Sequence, residues 1–232
     1  MDDLVDFLVN SLKINVSEIT ILCDIAIEKR GADMKQNEKI RLVVASGNKN
    51  KLREIAEIFT SFEVVSQKEM GFDEDVAETG MTFAENALIK ARAACKALGC
   101  MALADDSGLC VDALNGAPGI FSARYCGHHG SDEENRKVLL QNMQGIENRT
   151  AHFTSAIALV YPDGRELVVE GHTYGRILQE EVGNGGFGYD PLFYSDDLQK
   201  SFGVATAEEK NGVSHRFRAL QAMLVKWREA GV

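Results

Sequence analysis

Arg41-Leu-Val-Val-Ala-Ser-Gly-Asn-Lys-Asn-Lys-Leu-Arg-Glu-Ile-Ala-Glu-Ile-Phe59 is the stretch on which the fold turns. Leu42-Val-Val-Ala45 is a short apolar run and reads as a buried strand. A polar turn follows. Leu52, Ile55, Ala56 and Phe59 then recur at helical spacing on one face. A strand that runs through a turn into a helix is the opening of an α/β fold.

The pattern continues outward. Phe62 to Val65 reads as a second strand. Thr82 to Leu98 reads as a helix, opened by a capping box of Thr82 with Glu85 and favoured by Ala91, Ala93, Ala94 and Ala97. Met101 to Ala104 is a further strand, ending at two aspartates. Ser131 to Met143 reads as a helix. Phe153 to Tyr161 and Glu166 to Gly171 flank the turn Pro162-Asp-Gly164 and predict a hairpin. Leu192 to Tyr194 is a short strand, and Ser214 to Glu229 is the closing helix. The sum is a mixed α/β sheet.

Residues 1–39 differ from this body. Leu4, Val5, Phe7, Leu8 and Leu12 predict one short amphipathic helix, and Ser17 caps a second carrying Ile21, Leu22, Ile25 and Ala26. Gly31 to Lys39 reads as a linker. The predicted organisation is a helical extension over 1–39 and one domain over 40–232.

A chain of 232 residues, 45% hydrophobic, can bury a sizeable core. Its formal net charge of -10 argues against a nucleic-acid or acidic-membrane surface. Attraction for a polyphosphate must then be local. Five cysteines without a C-x-x-C pair read as reduced thiols. No apolar run approaches the roughly 18 residues of a membrane span, and Met-Asp-Asp is no signal-peptide start. The expected compartment is the cytoplasm.

Four motifs share one chemical theme. In Ser46-Gly47-Asn48-Lys49-Asn50-Lys51, a helix start offers amides and the positive end of its dipole to a phosphate, and Lys51 adds a full charge. Glu54 sits one turn on, on the same face. The Gly-Lys-Ser/Thr of a Walker A loop is missing, and an ordinary strand-helix turn fits the same stretch. In Asp105-Asp106-Ser107-Gly108, adjacent side chains of an extended segment point to opposite sides, so one aspartate can enter a cleft while the other braces the loop. Such carboxylates suit Mg²⁺, with Glu78, Glu85 and Asp190 as further acidic candidates.

Gly183-Asn-Gly-Gly-Phe-Gly188 matches the dinucleotide spacing but follows no clear strand and opens no helix, so that reading is rejected. A glycine turn holding Phe187 and Tyr189 offers backbone contact and a stacking surface, or plain aromatic packing. Ser214-His215-Arg216 opens the last helix with Lys210 upstream, and Arg216 can donate to a ligand oxygen. Cys126-Gly-His128-His129 crowds three soft ligands into four residues with no fourth partner, and reads as a polar loop rather than a transition-metal site.

Taken together and in order, these motifs resemble the Ham1/RdgB-type inosine triphosphate pyrophosphatases, or XTP/dITP diphosphatases, from about Arg41 to Arg228. The match also takes in Glu78-Thr-Gly-Met-Thr-Phe-Ala-Glu-Asn86 and Gly116-Ala-Pro-Gly-Ile-Phe-Ser-Ala-Arg-Tyr125. The resemblance implies an elongated mixed β-sheet with helices and two lobes flanking an active-site cleft, usually in a homodimer. It implies Mg²⁺-dependent hydrolysis of deaminated purine nucleoside triphosphates to the monophosphate and pyrophosphate. By the same resemblance Ser46 to Lys51 hold phosphates, and Asp106 binds metal and is the base for water. Ser107, Phe187, Gly188, Tyr189, Asp190, Lys210, His215 and Arg216 match substrate-binding positions, and Glu78 matches a metal-associated acid beside Ala77. Residues 1–39 fall outside the family pattern.

Physical reasoning supports the assignment. Lys51, Lys90, Lys210 and Mg²⁺ would neutralise charge on the leaving side. Arg216 facing a 6-keto oxygen would accept hypoxanthine or xanthine over adenine. Two alternatives stay open: a Maf-like pyrophosphatase for other modified nucleotides, and a nucleotide-sensing module that does not hydrolyse.

Overall fold

A computed structural model describes residues 39–128 and 131–231. The chain divides into two units, Met1–Ile40 and Arg41–Val232, and the sheet and its helices belong to the second, with Ile40 at the boundary. The expected helices, and the expected linker except Lys39, lie outside the described residues.

The strands are β1 (Ile40–Val44), β2 (Phe62–Ser66), β3 (Ala102–Val111), β4 (Thr150–Val160), β5 (Glu166–Ile177), β6 (Phe193–Ser195) and β7 (Lys200–Ser201). They form one seven-stranded sheet in the order β2-β1-β3-β4-β5-β6-β7. β1 runs parallel to β3, and the pairs from β3 through β7 are antiparallel, so the sheet is mixed as expected. The helices are α1 (Lys49–Ile58), α2 (Phe83–Leu98), α3 (Asp132–Asn142), α4 (Ala207–Asn211) and α5 (His215–Glu229).

Local chemistry fixes the helix ends. Asn48 caps α1 by accepting from the amides of Asn50 and Lys51. Thr82 Oγ1 accepts from the Glu85 amide and starts α2. The reciprocal half of the expected capping box goes elsewhere, because the Glu85 carboxylate takes the Met81 amide, one residue outside. Ser131 and Ser214 cap α3 and α5.

The sequence expectation ended the third strand at the aspartates, but β3 runs on to Val111. Asp105 pairs with Ile157 and Asp106 with Ala156, in the middle of a long antiparallel ladder. Two buried carboxylates are tolerated inside a strand because each face supplies a cation.

Alternation along β3 assigns those faces. Leu103 joins Leu42, Val44, Ile157 and Leu159 in one cluster, packed on Ile55 and Phe59 of α1 and on Ala219, Leu220, Met223 and Trp227 of α5. Ala102 and Ala104 belong to the other, where Ala87, Ala91 and Ala94 of α2 meet Ala156 and Ala158. Small side chains on both partners bring α2 close to the sheet. Period two then sends Asp105 toward α5 and Asp106 toward α2. The apolar stripe expected on α1 holds at Ile55 and Phe59, whereas Ala56 is exposed and Glu54 is buried in its stead.

Candidate active site

A cavity of about 770 Å³ opens where β1 meets α1, where β3 carries its aspartates and where α5 begins. Its far wall is the glycine turn ending at Asp190. Within it, two charge networks lie on the two faces of β3.

The first centres on Arg216, which is only 1% exposed. Its Nε donates to Asp105 Oδ2, its Nη1 to Glu54 Oε2 and its Nη2 to Ser107 Oγ at 3.1 Å. Ser155 Oγ donates to the other Asp105 oxygen at 3.1 Å, and Lys51 Nζ donates to the Asp105 carbonyl at 3.2 Å. Burial alone would raise the Asp105 carboxyl. Arg216 and Lys51 outweigh that and hold it well below the usual carboxylate range. Burial pushes the Lys51 ammonium down, with Arg216 and Lys90 adding to the effect against Asp105.

The second network centres on Lys90. Its Nζ donates to Glu78 Oε1 at 2.7 Å, to Asp106 Oδ1 at 2.9 Å and to the Asp105 carbonyl at 3.2 Å. Arg124 reaches the other Glu78 oxygen at 3.3 Å. Burial raises the Asp106 carboxyl and Glu78 adds to the rise, while Lys90 opposes it without cancelling it. Asp106 Oδ2 is buried and has no protein partner among the described residues.

The far wall is built on Asp190. Its carboxylate accepts from the Phe187 amide at 2.8 Å and from Lys210 Nζ, which also stands 4.2 Å from the Phe187 ring centre. Tyr189 is buried and donates its hydroxyl to the Ser122 carbonyl at 2.8 Å. Gly188 is clamped by α3, its amide donating to Asp132 at 2.7 Å and its carbonyl accepting from Arg136 at 2.8 Å. His215 stacks on Phe153 at 4.8 Å. Burial, reinforced by Arg216 and Lys210, pushes its imidazole well below the ordinary value, so it is neutral at pH 7. Gly108 has a packing reason, since a Cβ there would overlap the Gly119 carbonyl and Ser122 Oγ.

Most residues expected from sequence do meet here. Ser46, Gly47, Asn48, Lys51, Glu78, Lys90, Asp106, Ser107, Phe187, Gly188, Tyr189, Asp190, Lys210, His215 and Arg216 all line the cavity. Lys49 and Asn50 do not, because the first turn of α1 points them away. The helix start is also less open than expected, since Asn48 itself consumes the Asn50 and Lys51 amides. Glu85 is spent on its own helix end, and Asp190 is spent on Lys210. Of the three extra acids, Glu78 alone stands with Asp106. Arg216, expected to face a ligand oxygen, has all three nitrogens donating to protein groups.

The sequence reading passed over Glu54 as part of the site, as well as Phe153, Arg124 and Ser155. Glu54 left a signal, being a carboxylate on the stripe that α1 buries. Arg124 lay within the matched Gly116–Tyr125 stretch, whereas Phe153 and Ser155 left no signal, because their roles depend on strand register.

Fold and site together define a mixed α/β protein with a charge-dense cleft for an anionic ligand. The chain belongs to the Ham1 family, whose model matches residues 42–226. It is 47% identical over 195 residues to the dITP/XTP pyrophosphatase of Streptomyces coelicolor, an alignment covering 82% of this chain and 98% of that one. It is 44% identical over 185 residues to the dITP/XTP pyrophosphatase of Bacillus subtilis, covering 78% and 93%. Among solved structures it is similar to the Staphylococcus aureus Ham1 protein, with a TM-score of 0.77, 41% identity and coverage of 82% and 99%. A Mycobacterium abscessus structure described as a nucleoside-triphosphatase and dITP/XTP pyrophosphatase gives 0.69 at 47% identity, covering 80% and 99%.

Proposed function

We propose that this chain hydrolyses non-canonical purine nucleoside triphosphates, ITP, dITP and XTP, to the monophosphate and pyrophosphate, and so cleanses the nucleotide pool. The observation that carries the reading is Asp106, a cavity carboxylate with one buried oxygen unpartnered among the described residues, set beside Lys90 and across from Lys51. The family and the names of the relatives support it.

A divalent cation fits the donors present. Glu78 and Asp106 offer hard carboxylate oxygens, one of them orphaned. The cavity wall is itself acidic. Lys51, Lys90, Arg124, Lys210 and Arg216 face Glu74, Asp75, Glu78, Asp105, Asp106, Asp132 and Asp190, five cations against seven carboxylates. A triphosphate entering that field needs a counter-cation. Asp106 and Glu78 would hold Mg²⁺, which supplies charge neutralisation at the phosphate oxygens.

The chain's own groups do the rest. Asp106 accepts the proton of the attacking water. Water oxygen bonds to the α-phosphorus, the bond to the bridging oxygen breaks, and pyrophosphate leaves with the electron pair. Lys51 and Lys90 stabilise that charge. Arg216 holds Asp105 and Ser107 in place rather than reading the base. In the tautomer that turns an N–H to the ligand, the neutral imidazole of His215 pairs with a 6-keto oxygen and meets donor with donor at the amino group of adenine. Guanine shares the 6-keto oxygen, so this contact separates hypoxanthine and xanthine from adenine alone.

The test is pyrophosphate release from ITP, dITP, XTP and ATP, with and without Mg²⁺. The expected kcat/KM for ITP exceeds that for ATP by about 10⁴-fold. Comparable values would mark a general nucleotide pyrophosphatase, and binding without release would mark a sensing module. The same reading carries a homodimer working in the cytoplasm. Solution mass tests the first. Among the described residues no helix is long and apolar enough to cross a membrane.

A further inference from the structure

We propose that Cys126, His128 and Glu134 form a second metal site, outside the nucleotide cavity, for a borderline divalent cation of the zinc type. The sequence offered soft ligands crowded into one loop and no further partner. The fold supplies that partner from the first turn of α3. Cys126 Sγ lies 4.0 Å from His128 Nε2 and 3.9 Å from Glu134 Oε2, and His128 Nε2 lies 3.2 Å from the same oxygen. These are the described residues whose ligand atoms converge in this way.

The distances match a coordination triangle. Zinc bonds of about 2.3 Å to sulfur and about 2.0–2.1 Å to nitrogen and oxygen, set at tetrahedral angles, place sulfur about 3.5 Å from each of the others. They place nitrogen about 3.3 Å from oxygen. Each observed separation is within about 0.5 Å of that, so small rotamer adjustments close the site. A catalytic triad would instead chain the groups, with thiol and carboxylate on opposite ring nitrogens. Here Sγ meets the ring at 3.9 Å from Nδ1 and 4.0 Å from Nε2, and it also lies 3.9 Å from the Glu134 oxygen, so the three groups close a triangle rather than form a chain.

The backbone under two of the ligands is anchored before any metal arrives. The Cys126 amide donates to Asn135 Oδ1 at 2.8 Å, and the buried Asn135 holds the Ala123 carbonyl with its other end. The Glu134 amide is fixed by the Ser131 cap. Gly127, at φ 99°, turns the chain back so that residue 128 returns over residue 126. Among the described residues the site has three protein ligands, and His128 and Glu134 are open to solvent, so water can reach the ion. Thiolate sulfur with imidazole favours zinc over magnesium. Binding forms an S–Zn bond and releases the thiol proton to solvent.

The experiment uses the full reduced chain, stripped with a chelator and titrated with Co²⁺ alone. The expected result is a thiolate-to-cobalt charge-transfer band that saturates at one Co²⁺ per chain, with visible bands of tetrahedral intensity; Co²⁺ held by carboxylates alone adds no such band. Zn²⁺ should displace the ion and excess Mg²⁺ should not. Cys126→Ser should abolish the charge-transfer band, and Glu134→Gln should weaken binding by at least about tenfold. Cys110→Ser should keep the band. Zn²⁺ should raise the melting temperature of the wild type and not of Cys126→Ser. A band that survives Cys126→Ser, or no band at saturating Co²⁺, overturns the proposal and leaves an ordinary His128–Glu134 ion pair.

Discussion

Asp105→Asn should destabilise the fold far more than its position in a polar site implies. Asp105 is 1% exposed and takes one bond from Arg216, itself 1% exposed, and another from Ser155. Asparagine keeps the volume and can keep the Ser155 contact, so no cavity forms. What is lost is the negative charge, which leaves Arg216 with Glu54 as its one anionic partner and Lys51 without its nearest carboxylate. Removing one member of a buried pair costs about 3–5 kcal/mol. At about 2–4 °C per kcal/mol for a chain of this size, the melting temperature should fall by about 6–20 °C. Urea melts at 25 °C and pH 7 should show a lower midpoint at unchanged slope. The folded pKa of Asp105 is depressed, so its contribution is complete above the unfolded value of about 3.9 and is lost as pH falls through the folded one. The gap between wild type and variant should therefore be flat from about pH 5 to 7 and close only in stronger acid. A gap below about 1 kcal/mol at pH 7, or one that closes near neutrality, would refute the charge network as a source of stability.

Asp106→Asn should keep the fold and nucleotide binding yet lose pyrophosphate release from ITP by about 10²–10⁴-fold, and near-normal turnover would remove Asp106 as the base. Gly108→Ala should cost about 1–3 kcal/mol in a urea melt because its Cβ overlaps Gly119 and Ser122; an unchanged midpoint would show that the loop yields freely. Deleting residues 1–39 should leave ITP hydrolysis intact while changing stability or solution mass. Lost hydrolysis at unchanged mass and melting temperature would place part of the site in that segment.

Legibility in the sequence followed the range of the interaction. The order of strands and helices was readable because caps, turns and apolar periods are local: Thr82, Ser131 and Ser214 each start the helix assigned to them. The Pro162-Asp-Gly164 turn likewise joins the expected hairpin. The extent of β3 was not readable, since an aspartate pair looks like a strand end until cations on both faces are known. The site residues were readable as a set, and their partners were not. Nothing local says that Arg216 is spent on Glu54, 162 positions away in the chain. The same holds for Lys90, whose reach to Asp106 depends on how closely an alanine-lined helix approaches the sheet.

The position of the aspartates in β3 also sets how the site can change. Ten consecutive residues of β3 pair with β4, and both strands are interior to the sheet. Backbone amides there should exchange with solvent deuterium only through global unfolding. The opposite wall, Gly183 to Gly188, is held by a handful of bonds to Asp132, Arg136, Asp190 and Gly203, and it should exchange through local opening at much lower free energy. One side of the cleft is therefore as long-lived as the whole fold, while the other can rearrange without disturbing it. Substitutions that retune which base is accepted should accumulate on the glycine wall, because a change on the aspartate strand is charged against the stability of the entire sheet.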